Sequence, residues 1–184
     1  MSRRLSIKTI RLSPFLLTCL LILLFLFPAA CSTTATSVYL VRHAEKAAGN
    51  DPGLLPSGTA RAHELKRVLE HVPVIAVYST DTNRTRQTAQ PLADDKSLTT
   101  QIYGDTSVAA GIMSDHGSEV ALIVGHSNTI PQLITAFGGP NGISIEEDEY
   151  DNLFLLLINR LKRSGSTIRS RTKVLHMKYG AVSP

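Results

Sequence analysis

The chain has 184 residues, with 19 Lys and Arg against 15 Asp and Glu, a formal charge of +4. Four of the basic residues, Arg3, Arg4, Lys8 and Arg11, fall within residues 1–30, which hold no acidic residue, so from Cys31 onward the count is 15 against 15. The excess that would suggest a nucleic-acid binder therefore belongs to the first 30 residues, and two cysteines, Cys19 and Cys31, leave no room for a disulfide framework or a Cys-based metal site.

In chain order, residues 1–30 place those basic residues before the apolar stretch Phe15–Phe27 and end in Pro28-Ala29-Ala30-Cys31. Thirteen residues fit the roughly 7–15 of a secretory signal's apolar core and fall short of the roughly 20 that cross a bilayer. Residues 1–30 are expected to be a signal peptide. Small residues before a cysteine resemble the lipobox of bacterial lipoproteins, which implies lipidation at Cys31; Pro28 stands where Leu is usual, which leaves ordinary cleavage or retention as an anchor open. Ser32 after the cysteine resembles lipoproteins sent to the outer membrane. The expected location is the cell envelope, lipid-anchored and facing the periplasm, with membrane contact through Cys31 and no nucleic-acid partner. Residues 31–37 read as a tether and 38–184 as one domain with its own core.

Within that domain short apolar runs alternate with helical periodicity. Val38–Val41 reads as a buried strand, Ser57–Glu70 as a helix with Ser57 a candidate cap, and Val74–Tyr78 as a second strand. A helix over Thr82–Ala93, a weak strand over Thr99–Tyr103, a helix over Ser107–Asp115 and a strong strand over Val120–Val124 follow. A helix over Asn128–Phe137 stops at Gly138-Gly139-Pro140, and two strands, Leu153–Ile158 and Lys173–Lys178, flank a turn at Ser164-Gly165-Ser166. The order predicts an α/β three-layer sandwich: a mostly parallel sheet, helices on both faces and a C-terminal β-hairpin.

The chemistry collects where strands end. Arg42-His43 follow the first strand and Gly125-His126 the strongest one, so both pairs should emerge at the carboxyl edge of a parallel sheet, where ligands bind in open α/β folds. Arg84 and Arg86 lie in the first turn of the helix after the second strand. Two histidines and an arginine converging on a helix N-terminus suit an anion, with phosphate the obvious occupant.

These segments resemble the histidine phosphatase superfamily, whose fold is phosphoglycerate-mutase-like. Val41-Arg42-His43-Ala44-Glu45, Tyr78-Ser79-Thr80 with Arg84-Thr85-Arg86-Gln87-Thr88-Ala89, and Val124-Gly125-His126-Ser127-Asn128 are similar to its three signatures, in its order; Leu55-Pro56-Ser57-Gly58 is similar to its turn before the first helix. The resemblance implies that His43 is a nucleophile that becomes phosphorylated, that Arg42, Arg84, His126 and Asn128 bind the phosphoryl group, and that no metal or other cofactor takes part. Its spacing selects Arg84 and leaves Arg86 at the surface or rim. Positioned cations suit a phosphoryl group in transfer, whose charge spreads over its equatorial oxygens, and a neutral imidazole suits the attack.

The general acid is less legible. The superfamily's acid phosphatases put an Asp after the second His, where this chain has Ser127; the His-x-Asn form instead implies a carboxylate between Arg84 and His126. Asp94, Asp95, Asp105, Asp115 and Glu119 are available there. Asp105, after the weak third strand, is the choice, and Glu119, ahead of the fourth strand, should lie at the wrong edge. The cluster Glu146–Asp151 reads as a solvated loop, with coordination of a cation or framing of the pocket as its other roles. The span 94–119 is too short for an inserted cap, which implies an open pocket. The seven basic residues of 159–184, a stretch without acids, are expected to pair with the acidic body more than with anionic lipid. Together these imply a metal-independent phosphomonoester hydrolase acting through phosphohistidine on a small monoester or an envelope glycan phosphate. The alternative is a non-catalytic envelope lipoprotein of the same fold that binds an anion or a protein.

Overall fold

The computed structural model describes residues 31–183, so the expected signal peptide, residues 1–30, lies outside the described residues. The described chain runs β1 (Cys31–Arg42), α1 (Pro56–Val68), β2 (Val74–Ser79), α2 (Asn83–Asp95), β3 (Thr100–Ile102), α3 (Val108–Asp115), β4 (Val120–Gly125), α4 (Thr129–Ala136), β5 (Asn152–Arg163) and β6 (Ser166–Lys178). No helix among these residues is long and apolar enough to cross a membrane.

One six-stranded sheet has the order β3-β2-β4-β1-β5-β6. β3, β2, β4 and β1 pair in parallel, and β5 and β6 join by antiparallel pairings, giving the expected mostly parallel sheet with a closing hairpin. Successive residues of a strand face opposite sides, and here each side meets its own core. Val38, Leu40, Ile123, Phe154 and Leu156 pack with Ile112 of α3 and Ile130, Leu133 and Ile134 of α4. Val41, Leu122, Val124 and Leu153 pack with Leu65 of α1 and Ala89 and Leu92 of α2. Three layers follow from that alternation.

Local chemistry explains the element ends. Helix α1 begins at Pro56, whose fixed φ and missing N–H suit a first turn, with Leu55 in the capping position in place of Ser57. The β5–β6 turn is Ser164-Gly165, both at positive φ (50° and 82°), between the paired residues Arg163 and Ser166. Two left-handed residues give the twist a two-residue hairpin needs, and glycine takes the second at no steric cost.

Two expectations are corrected here. Residues 31–37 form the first half of β1, paired residue by residue with β5 from Cys31↔Arg163 to Ser37↔Leu157, instead of a tether. Thr33, Thr34 and Thr36 are β-branched and fit a pleated surface once β5 supplies a partner. The hairpin strands are also far longer than their apolar cores, because Asn159–Arg163 and Ser166–Thr172 continue the ladder with polar side chains.

Candidate active site

Parallel β1 and β4 lie side by side in register Arg42↔Gly125, so the residues that follow them emerge together at the carboxyl edge. The His43 N–H donates to the Gly125 carbonyl at 2.8 Å, and the Ala44 N–H donates to Thr88 Oγ1 of α2 at 2.9 Å. These backbone ties place the His43 and His126 rings edge to face, with centroids 5.3 Å apart. His43 Nδ1 lies 2.8 Å from the Ala44 carbonyl. A carbonyl can only accept, so this assignment puts the ring proton on Nδ1 and leaves the Nε2 lone pair free to attack.

Burial lowers the His43 pKa to about 4, and the Arg42, His126 and Arg84 charges add to it against the opposing bond to Ala44. His126 is lowered too, by burial and then by Arg84 and Arg42, with Glu147 opposing. Both rings are therefore neutral near pH 7. Thr80 holds His126: its hydroxyl donates to Thr85 Oγ1 at 3.0 Å and its oxygen lies 3.0 Å from His126 Nε2. Thr85, fully buried, donates in turn to the Thr80 and Thr82 carbonyls. The second signature is thus a hydroxyl scaffold for the second histidine.

Arg42 is 1 % exposed and stacks over Tyr150, 4.5 Å from the ring centroid. Its Nη1 donates to the Glu146 and Glu149 carbonyls (2.6 and 3.3 Å) and its Nη2 to Glu147 Oε2 (2.9 Å). Glu147 Oε1 accepts from the Ser127 hydroxyl at 2.6 Å. The Ser127 bond, then the Arg42 charge, holds the Glu147 carboxyl below the usual carboxylate range. Among the described residues Arg84 forms an ion pair with Asp51, at 3.5 Å. Nε of Arg42 and Nε of Arg84 are both buried without a protein acceptor. Buried donors are normally satisfied, and an anion held between the two guanidinium groups would satisfy them.

The structure brings Arg42, His43, Arg84 and His126 to one edge. Asn128 is exposed at the start of α4, beside Ser144 and Ile145, with no side-chain capping bond. Arg86 is a rim residue, paired with Asp81 and Asn83. Asp105 does not join the site: its carboxylate accepts from the Ser107 N–H at 2.7 Å at the start of α3, and the Ser107 hydroxyl and N–H hold its pKa down. A short carboxylate beside a helix start satisfies the helix's own donors first. The other carboxylates of that span are committed elsewhere. Asp94 accepts from Gln90, Asp95 lies near Lys66 and Lys96, Asp115 ends α3, and Glu119 pairs with His116 at the amino edge.

Sequence reasoning did not single out Glu147, whose carboxylate meets Arg42 and Ser127. It comes from the cluster read as a solvated loop, in which Glu146, Glu147 and Asp148 are indeed exposed, and the loop also borders the site, as its other reading had it. With Tyr150 6.1 Å from the His43 ring, that loop leaves His43 only 3 % exposed. The reason is topological: β5 runs antiparallel to β1, so the acidic residues just before β5 arrive at the end of β1 where Arg42 sits. Among the described residues no group of three or more His, Cys, Asp or Glu could hold a metal ion. Glu45 is structural, forming a two-pronged pair with Arg61 (Nε to both oxygens at 3.0–3.1 Å, Nη2 at 2.7 Å). A cavity of about 510 Å³ beside that pair is lined by Ser57, Glu64 and Gly180 and by neither histidine.

Residues 38–105 match the family model described as "Histidine phosphatase superfamily (branch 1)". No curated protein sequence matches the chain. Among solved structures, "Mycobacterial hydrolase 2" is 16 % identical over 81 % of this chain and 94 % of its own, with a TM-score of 0.61. The complex of mycobacterial glucosyl-3-phosphoglycerate phosphatase with inorganic phosphate is 14 % identical over 77 % and 97 %, TM-score 0.58. A putative phosphohistidine phosphatase SixA from Nakamurella multipartitia is 18 % identical over 84 % and 99 %, TM-score 0.52. At these identities the structures establish the fold alone, and the family model covers residues 38–105, 68 of the 184 residues.

Proposed function

We propose that the protein is a metal-independent phosphomonoester hydrolase that works through phosphohistidine on His43. The observation that carries this reading is the neutral, Nδ1-protonated His43 set edge-on to His126 between two arginines whose Nε donors lack protein acceptors. Arg42, Arg84 and His126 hold the phosphoryl oxygens. His43 Nε2 forms the N–P bond as the ester P–O bond breaks and the leaving oxygen takes a proton from Glu147. Water then attacks phosphorus, its proton returns to Glu147, the N–P bond breaks and inorganic phosphate leaves. The entering anion competes with Glu147 for Arg42. Released from Arg42 and Ser127 and facing a phosphate, that carboxyl gains affinity for a proton.

The leader and Cys31 support an exported, lipid-anchored protein of the cell envelope, facing the periplasm from the outer membrane. There the substrate is a small monoester or a phosphate displayed on an envelope glycan. The solved neighbours titled as phosphatases of phosphohistidine and of glucosyl-3-phosphoglycerate fit a phosphoryl site on this fold. The test is hydrolysis of p-nitrophenyl phosphate by the full chain in EDTA, with acid-quenched protein analysed for a phosphorylated His43 peptide. Turnover with a trapped His43 adduct is expected, and His43→Ala should lose both, lowering kcat by about 10³-fold or more. Unimpaired hydrolysis by His43→Ala would remove the proposed nucleophile.

A further inference from the structure

The seven cations of residues 159–184 are expected to pair with the acidic body, yet among the described residues only Lys178 does so, with Glu149 and Asp151. No carboxylate lies within ion-pair distance of Arg163, Arg169, Arg171 or Lys173 among the described residues, and all four are exposed.

Register places them together. Cross-strand partners share a face, and the ladder runs Cys31↔Arg163, Thr33↔Leu161↔Arg169, Ala35↔Asn159↔Arg171 and Ser37↔Leu157↔Lys173. Arg163, Arg169, Arg171 and Lys173 therefore lie on one face with Cys31, Thr33 and Ala35. Beyond Ser37, where pairing with β4 stops, this corner projects past the parallel sheet. Its other face is partly covered: Thr36 and Ile158 are buried, Thr172 donates to the Phe137 carbonyl, and Arg160 packs against Gly117. The cationic face has no such cover, and Ile168, at the bulge near the turn, is 57 % exposed.

We propose that this face, carrying Arg163, Arg169, Arg171 and Lys173 beside Cys31, lies on an anionic lipid surface and turns the His43 site away from it. Charge complementarity and the path of the chain both favour lipid. Cys31 opens the described chain on that face, and the 30 residues before it hold the apolar stretch Phe15–Phe27 preceded by four cations. Lipidation at Cys31 and retention of the leader both bring the corner to a bilayer, and one anchor gains much from a basic patch beside it. Nucleic acid is disfavoured because no aromatic side chain stands among these residues to stack on a base. β1 runs from this corner to Arg42, 12 residues at about 3.3 Å each, so the site stands roughly 35 Å away at the opposite edge of the sheet.

The inference does not rest on the phosphatase reading. Its test is hydroxyl-radical oxidation, read by mass spectrometry, of the full chain reconstituted on vesicles of phosphatidylcholine alone or with added phosphatidylglycerol. Ile168 is the reporter at the basic corner, and Val182, 88 % exposed just past the end of β6, reports on the opposite edge. Oxidation of Ile168 should fall by about tenfold or more on anionic vesicles while Val182 is unchanged. The protection should vanish in about 0.5 M salt and in the Arg163→Gln, Arg169→Gln, Arg171→Gln, Lys173→Gln variant, whose fold is checked by circular dichroism. Equal oxidation of Ile168 on both vesicles, protection of Val182 instead, or protection by a DNA duplex and not by anionic vesicles would overturn the proposal. Because the salt arm uses the unaltered chain, a variant that failed to fold would not spare it.

Discussion

His43 is neutral because it is buried and because Arg42, His126 and Arg84 surround it with positive charge, and that neutrality predicts its pH behaviour. A histidine lowered to about 4 keeps its lone pair until the pH falls toward 4, so the acid limb of kcat/KM, corrected for the substrate's own ionisation, is expected near pH 4–5 instead of about 6.5. The stability sign follows. Between about 6.5 and 4 the unfolded chain binds the proton that folded His43 refuses, so stability falls as pH drops through that window. His43→Ala should show a smaller fall in Tm over the same range. Glu147 is tested by leaving group. Glu147→Gln should lower kcat/KM, which reports the phosphorylation step alone, by roughly 10²-fold for an alkyl phosphate and little for p-nitrophenyl phosphate, whose leaving group needs no proton. Its KM for the latter should fall, because Arg42 loses a competing carboxylate; equal losses for both substrates would count against Glu147 as the acid.

At the scale of elements, the site depends on how α1 and α2 grip the loop after β1. A Cβ on Gly58 would sit 2.2 Å from the Glu45 carbonyl oxygen, so the helix start can approach the His43 loop only as glycine. This is the physical content of the Leu55-Pro56-Ser57-Gly58 match. Glu45 then spans to Arg61, whose Nη1 donates to the Tyr179 carbonyl at 3.0 Å, joining β1, α1 and the end of β6. Gly58→Ala should cost about 1–3 kcal/mol through forced displacement of the helix, read as a lower denaturation midpoint with unchanged m. Arg61→Met strands Glu45 and the Tyr179 carbonyl and should cost roughly 2–4 kcal/mol, below the full cost of a buried pair because Glu45 is partly exposed.

For the whole molecule, charge is separated along the sheet: the acidic loop meets Arg42 at the carboxyl edge, and unpaired cations crowd the opposite corner. Such cations repel one another without compensation. The four-glutamine hairpin variant is therefore expected to melt no lower than the parent at low salt, and the parent's Tm should rise with salt more than the variant's. A lower Tm for the variant would mean that these side chains carry packing or pairing within the fold. The same separation gives the described chain a polarity, with Arg42 and His43 at one end and Cys31 at the other.

The strand and helix succession was legible in the sequence because apolar periodicity reports directly which face of an element is buried. Arg42, His43, Arg84 and His126 were legible because residues that end parallel strands or open the next helix must share one edge. The carboxylate beside Arg42 was not: Asp105 accepts from the Ser107 N–H at the start of α3, while Glu147, more than a hundred residues from Arg42, reaches it because β5 turns back antiparallel beside β1. The Ser/Thr stretch of 32–37 and the basic ends of the hairpin carry no apolar pattern, so only pairing across strands decides that they are sheet and which way their side chains point. Local propensity and periodicity are properties of sequence neighbours. Which distant carboxylate meets an arginine, and which cations meet none, depends on register, and register exists only once the strands have assembled.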